Sequence, residues 1–244
     1  MKKQFVGCRV AISGATGGFG RAMCRGFESE GAELVLIDKE LQALEEWRKQ
    51  LGRRHETVVC DQGDLDAVEA AVARIGAVDV FVNNAGYMLR KPLIEMSSQE
   101  VKHLVDVNLT GAIAMAIGIG RAMVARGSGV IVNVASQLAF AGAAGRGIYG
   151  ATKAGLVQFT RSAGSEWISN GVRVVAIAPG IANTDMTLNL RESPIEHANL
   201  LQRVPAARLI EADEVAQIVL FLASPLAASI VGQTLVADCG YLVH

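Results

Sequence analysis

Tyr149 and Lys153 stand four positions apart in YGATK, just after the small-residue run AFAGAAGRGI. On a helix this spacing sets the two side chains one turn apart on one face. A tyrosine hydroxyl, with a reference pKa of about 10, is a poor base at neutral pH. An ammonium held beside it stabilises the phenolate, and such a pair can take a proton from an alcohol or return one to a ketone. Ser136 closes the apolar run GVIVNVA. A hydroxyl there can hold a substrate oxygen and stabilise the charge that develops on it. Asn108 interrupts the apolar stretch 98–125, where an asparagine disfavours continuous helix and can mark a kink. Taken singly, each residue has an ordinary explanation: a surface pair, a turn serine, a solvated asparagine.

These side chains need elements to position them. Seven short runs rich in β-branched residues read as strands, at 9–13, 33–37, 57–60, 78–84, 129–135, 172–178 and 233–237. Most are continuously apolar, as strands buried on both faces of a parallel sheet must be. Helical patterns lie between them at 19–29, 40–51, 65–75, 98–125, 149–169 and 212–223. The alternation predicts an α/β fold of the Rossmann type, a doubly wound, mainly seven-stranded parallel sheet with helices on both faces. No composition break marks a linker, so residues 1–244 are expected to form one domain. The connection 183–209 is long for such a fold and reads as a substrate loop.

The first strand runs into SGATGGFG. Glycines at a strand-to-helix turn let the backbone approach a pyrophosphate, and the helix N-terminus offers it free N–H groups. The spacing is not the usual dinucleotide fingerprint, and glycines also serve plain turns. Asp38, at the end of the second strand, stands about where a carboxylate would bind an adenosine ribose. It would accept from both ribose hydroxyls and repel a 2′-phosphate, which favours NAD over NADP. Lys39 beside it could partly compensate a phosphate, so NADP is not excluded. Asp38 could also serve as a helix N-cap.

Composition narrows the classes. Of 244 residues, 51% are apolar and 19% charged, enough for a large core, and the net charge of −1 with no basic stripe argues against nucleic acid. Cys8, Cys24, Cys60 and Cys239 are scattered and form no CxxC, the pattern of reduced thiols in a cytoplasmic protein. The histidines His55, His103, His197 and His244 form no metal-binding pair. The longest uncharged run, 127–145, is broken by glycine and polar residues and does not read as a membrane span. Arg9 interrupts the N-terminal apolar run, against a signal peptide.

In this order SGATGGFG (13–20), Asp61, NNAG (83–86), Asn108, Ser136, Y-x3-K, PGIANT (179–184) and DCG (238–240) resemble the short-chain dehydrogenase/reductase family over essentially the whole chain. Ser13 stands where that family usually has Thr, and Cys239 where Gly is common. The resemblance implies hydride transfer between a nicotinamide and a carbonyl or alcohol. It assigns Tyr149 as general acid/base, Lys153 as its tuner and a ligand of the nicotinamide ribose, Ser136 to the substrate oxygen, and Asn108 to a water that links the lysine to solvent. Cofactor contacts are implied for Ser13, Gly14, Thr16, Gly17, Gly18, Phe19, Gly20, Asp38, Lys39, Asp61, Gln62, Asn84, Ala85 and Gly86. Asp61 would meet the adenine amino group, or else start a helix. Asn83 would fix neighbouring strands. Pro179, Gly180, Ile181 and Thr184 would cover the nicotinamide.

Gln137, Tyr87, Arg90 and Arg146 are possible substrate-pocket residues. Arg146 could bind an anionic or hydroxyl-rich substrate, but a lone arginine more often faces water. The small residues 139–145 leave room for a bulky substrate or let helices pack closely. Ile113, Met115, Ile117 and Ile119, with Leu156, Val157 and Phe159, exceed one apolar face and suggest a partner subunit; the resemblance implies a homotetramer or homodimer. The expected activity is NAD-dependent interconversion of a small-molecule secondary alcohol and its ketone. The alternatives are an NADPH-dependent 3-oxoacyl-thioester reductase and, lower, a dinucleotide sensor without turnover.

Overall fold

The computed structural model describes residues 3–52, 54–183 and 201–243. Its centre is one parallel sheet of seven strands: β1 (Arg9–Ser13), β2 (Glu33–Asp38), β3 (Glu56–Val59), β4 (Val80–Asn83), β5 (Gly129–Val134), β6 (Val172–Pro179) and β7 (Thr234–Ala237). They lie in the order β3-β2-β1-β4-β5-β6-β7. Among the described residues the α-helices between them are α1 (Gly18–Ser29), α2 (Leu41–Leu51), α3 (Leu65–Ile75), α4 (Ser98–Val105), α5 (Ala112–Arg126), α6 (Gly147–Trp167) and α7 (Ala212–Ala223).

The continuous apolar runs are explained by helices on both sides. Along each strand, successive side chains enter opposite layers. Val10, Ile12, Leu34, Leu36, Val80, Val82 and Val132 pack with Met23, Phe27, Val219 and Leu222 of α1 and α7. Ala11, Val35, Ile37, Phe81 and Ile131 pack on the other face with Val68, Ile75, Met115 and Ile119 of α3 and α5. The sheet reverses its winding between β1 and β4, and the carboxyl ends of those strands open onto the crevice where ligands of such sheets bind.

The predicted helix 98–125 is two helices. The serine–glutamate capping box of Ser97 and Glu100 starts α4. The chain then makes a π-helical turn, Asp106–Gly111, before α5 begins. Asn108 lies inside this turn and is fully buried. By length and composition Ser98–Arg126 is apolar enough to cross a membrane, yet 44% of its most apolar window is buried within the chain's own fold. Met115, Ile119, Leu156 and Val157 are core residues of this chain. Ile113, Ile117 and Phe159 remain half-buried, with the Phe159 ring edge-on to Trp167.

Buried amides bind the sheet to its helices. Asn83 Nδ2 donates to the Ala112 carbonyl at 2.9 Å and to Asn133 Oδ1 at 3.0 Å, and Asn133 Nδ2 donates to Thr160 Oγ1 at 2.9 Å. Asn83 thus ties β4 to β5 and to α5, and the chain of bonds continues into α6.

Candidate active site

The glycine turn is shaped by contact with β4. Gly14 has φ +64°, and a Cβ there would lie 2.9 Å from Ala85 Cα, so only glycine fits without displacement. Ser13 Oγ accepts from the Asn84 and Ala85 N–H groups at 3.0 Å each, and Asn84 Nδ2 donates back to the Ser13 and Gly14 carbonyls. Gly17 precedes α1 as an N-cap without a side chain, and the first turn holds no acidic residue, so its N–H groups remain open to an anion. Gly20 does not line the cleft. It faces the Gly14 carbonyl and lets α1 pack onto the turn.

Asp38 points into this turn. Its Oδ2 accepts from Thr16 Oγ1 at 2.6 Å and from the Thr16 N–H at 3.0 Å, while Oδ1 accepts from the Lys39 N–H at 2.8 Å. The N-cap of α2 is Glu40, so the capping alternative for Asp38 fails. Asp64 caps α3, which removes the helix-start alternative for Asp61. Asp61 instead accepts from the Gly63 N–H and faces the cleft.

A cleft of about 690 Å³ runs along the carboxyl edge of the sheet. It is lined by Ser13, Gly14, Thr16, Gly17, Gly18, Phe19, Asp38, Lys39, Asp61, Gln62, Asn84, Ala85, Gly86, Tyr87, Tyr149 and Lys153. Every one of these was expected from the sequence. Ile37, Cys60, His103, Val107, Met115, Val134 and Ala135 also line it and were missed. Ile37, Val134 and Ala135 could have been found, since they lie at the carboxyl ends of the strands expected at 33–37 and 129–135. His103 could not, because only the packing of α4 brings it there, with its ring 5.4 Å from that of Tyr87.

Gln62 is turned inward. Its Nε2 donates to the Ala85 and Val107 carbonyls at 3.2 and 2.8 Å, so the amide joins β4 to the π turn. Pro179 ends β6 and Gly180 and Ile181 follow it, outside the cleft lining. Thr184 and most of the 183–209 connection lie outside the described residues.

Tyr149 and Lys153 line the cleft, and Ser136 stands just outside its lining with its hydroxyl on Tyr149. Lys153 is buried, and its Nζ donates to the Val134 carbonyl at 2.8 Å and lies 5.9 Å from the Tyr149 ring centroid. Asn108 stands behind Gly86. A Cβ on Gly86 would lie 3.0 Å from Asn108 Oδ1 and 3.4 Å from Lys153 Nζ. The Asn108 amide holds Tyr87 by both backbone groups, donating to its carbonyl at 2.7 Å and accepting from its N–H at 3.0 Å. Ser136 Oγ accepts from the Leu138 N–H at 3.2 Å.

The electrostatics differ from the simple picture of a cation lowering the phenol. Burial draws the Lys153 ammonium down to about 8. Burial also raises Tyr149, and the Ser136 hydroxyl and the Arg146 charge offset this only in part. Desolvation disfavours the charged form of both groups, and the positive charge that partly offsets it at Tyr149 is that of Arg146, not Lys153. Arg146 is a second correction. It is half-buried instead of solvated, with Nε enclosed and without a hydrogen-bond partner among the described residues. Gln137 is buried, with its Oε1 directed at Gly180 and no partner among the described residues.

With this geometry in view, comparison with known proteins defines the class. A family model described as enoyl-(acyl carrier protein) reductase matches residues 14–242. Galactitol 2-dehydrogenase (L-tagatose-forming) of Cereibacter sphaeroides is 38% identical, over 97% of this chain and 96% of its own. A 3-oxoacyl-[acyl-carrier-protein] reductase of Vibrio harveyi is 35% identical, over 95% and 96%. The crystal structure of a gluconate 5-dehydrogenase from Burkholderia cenocepacia in complex with NADP and tartrate superposes with a TM-score of 0.92 at 30% identity, covering 100% of this chain and 98% of the other. The chain belongs to the short-chain dehydrogenase/reductase family and has its Rossmann-type fold.

Proposed function

We propose that this protein is an NAD-dependent oxidoreductase that interconverts a secondary alcohol and a ketone, with Tyr149 as general acid/base. The observation that carries this reading is that one cleft is lined by Asp38 and by Tyr149 and Lys153, with the Ser136 hydroxyl hydrogen-bonded to Tyr149 from just outside the lining. The cradle fits a dinucleotide. The Gly14 turn and the open start of α1 would hold the pyrophosphate, Asp38 the adenosine ribose with room left beside it by Ala85 and Gly86, and Lys153 the nicotinamide ribose. When bound, the nicotinamide supplies the hydride donor or acceptor.

The chain's own residues manage the proton. For ketone reduction the buried phenol of Tyr149 gives its proton to the carbonyl oxygen as that oxygen gains charge, and Ser136 donates a second hydrogen bond to it. For alcohol oxidation the phenolate must first form, and Tyr149 then takes the hydroxyl proton. Lys153, fixed on the Val134 carbonyl, holds positive charge beside the ring. Asn108 fixes the Tyr87 backbone and the π turn, which keeps Gly86 against the lysine.

Polyol-oxidising relatives support a hydroxyl-rich substrate, and we assign the protein to the cytoplasm as a homotetramer or homodimer. Asp38 favours NAD, although the superposed gluconate 5-dehydrogenase holds NADP. A 3-oxoacyl-thioester reductase is the second reading, supported by the Vibrio harveyi relative. Initial rates on polyols, cyclic alcohols, hydroxy acids and a 3-hydroxyacyl thioester, each with NAD and NADP, separate the two. Tyr149→Phe should abolish turnover and retain cofactor binding; undiminished turnover would sink the mechanism.

A further inference from the structure

Just ahead of Tyr149 and beyond the cleft lining, half-buried Arg146 lies in the field of two exposed arginines, Arg90 and Arg203. Arg146 directly precedes α6, one turn ahead of Tyr149. Its Nε is enclosed without a hydrogen-bond partner among the described residues. Burial and then the charges of Arg90 and Arg203 draw its pKa down, while Tyr241 and Tyr149 act the other way. Arg90 crosses Gly145, where a Cβ would lie 3.4 Å from its Cγ. The cluster is therefore built from three segments of the chain.

Carboxylates are not scarce, since the protein has 24 acidic and 23 basic residues. Nearby cations find them: Lys91 pairs with Glu100 at 2.9 Å, and Arg208 with Glu214 at 2.7 Å. Arg90, Arg146 and Arg203 have no such ion pair among the described residues. Gathering like charges and enclosing an unpaired donor is unfavourable until an anion joins them. The start of α6 adds to the positive field, with no side-chain cap and no acidic residue in its first turn.

We propose that the substrate carries a carboxylate, which Arg146 grips while Arg90 and Arg203 supply the surrounding positive field. This rests on the dehydrogenase reading above and narrows it to hydroxy acids. A planar guanidinium matches a carboxylate with two parallel hydrogen bonds. Residues one turn apart on a helix have Cβ atoms roughly 5–6 Å apart, so Arg146 and Tyr149 can hold the carboxylate and the reacting hydroxyl of one small molecule. A neutral polyol can accept hydrogen bonds from Arg146 but leaves the gathered positive charge uncompensated.

The test is calorimetric titration of the protein saturated with reduced cofactor, which prevents alcohol oxidation. The probes are aldonates of four to six carbons, the polyols of the same skeleton, and their phosphate esters. At least one aldonate should bind tenfold or more tighter than its polyol, and more weakly as salt is raised. Arg146→Gln should cost that aldonate about ten- to hundredfold in affinity and bring it level with the polyol, and Arg146→Lys should recover part of the loss. Aldonates no tighter than polyols in the wild type, or a loss in Arg146→Gln shared equally by both, would overturn the assignment. Preference for the phosphate esters would overturn the carboxylate in favour of a phosphate. Turnover on the same panel tests the dehydrogenase reading separately: tight aldonate binding without turnover on any alcohol would remove that reading and leave the anion site standing.

Discussion

Lys153 offers a direct measure of how strongly this site is desolvated. Its ammonium is enclosed and drawn from 10.5 to about 8 by burial alone. Each tenfold change in proton affinity is worth about 1.4 kcal/mol, so the charged form costs the folded state about 3 kcal/mol at neutral pH. The sign follows from proton counting. Between pH 8 and pH 10.5 the unfolded chain holds a proton that the folded chain has lost, so stability rises with pH across that window; the penalty is fully present below 8 and gone above 10.5. Lys153→Met keeps most of the volume and removes the charge, but leaves the Val134 carbonyl without its partner, a cost of about 1–3 kcal/mol. The variant should therefore be as stable as the wild type at pH 7, or more stable by up to about 2 kcal/mol, while losing activity. Urea unfolding of both cofactor-free proteins at intervals from pH 7 to pH 10.5 reads this out, and the wild type should gain on the variant by about 3 kcal/mol over the range. Parallel stability curves would show that Lys153 is not desolvated as the geometry implies.

Two further perturbations probe the frame around the site. Asp38→Ala frees the Thr16 N–H and hydroxyl and removes a charge that would oppose a 2′-phosphate, so the ratio of kcat/KM with NAD to kcat/KM with NADP should fall at least tenfold. An unchanged ratio would show that Lys39 or another residue sets the choice. Asn133→Ala breaks the bond from Asn83 and the bond to Thr160 and opens a cavity at a fully buried position. It should cost about 2–4 kcal/mol, seen as a lower urea midpoint at constant slope; a loss under about 0.5 kcal/mol would mean that the amide chain does not brace the sheet.

The sequence alone determined the sheet, because strands packed between two helical layers must be apolar on both sides and that pattern is local. Its glycine turn, Asp38, Ser136 and the Tyr149–Lys153 spacing were legible for the same reason: each lies at a strand end or within one helical turn. Only the tertiary structure decided how those residues behave. Burial raises Tyr149 despite the nearby lysine, since desolvation depends on everything packed around the ring. Gln62 is turned onto backbone carbonyls of β4's end and the π turn, one of them 45 residues away. Arg146 reads in sequence as a solvated arginine, and becomes half-buried beside Arg90 and Arg203 because the fold brings three separate segments to one place. Periodicity records which face of an element is buried. It carries no record of which charges from distant segments will meet there.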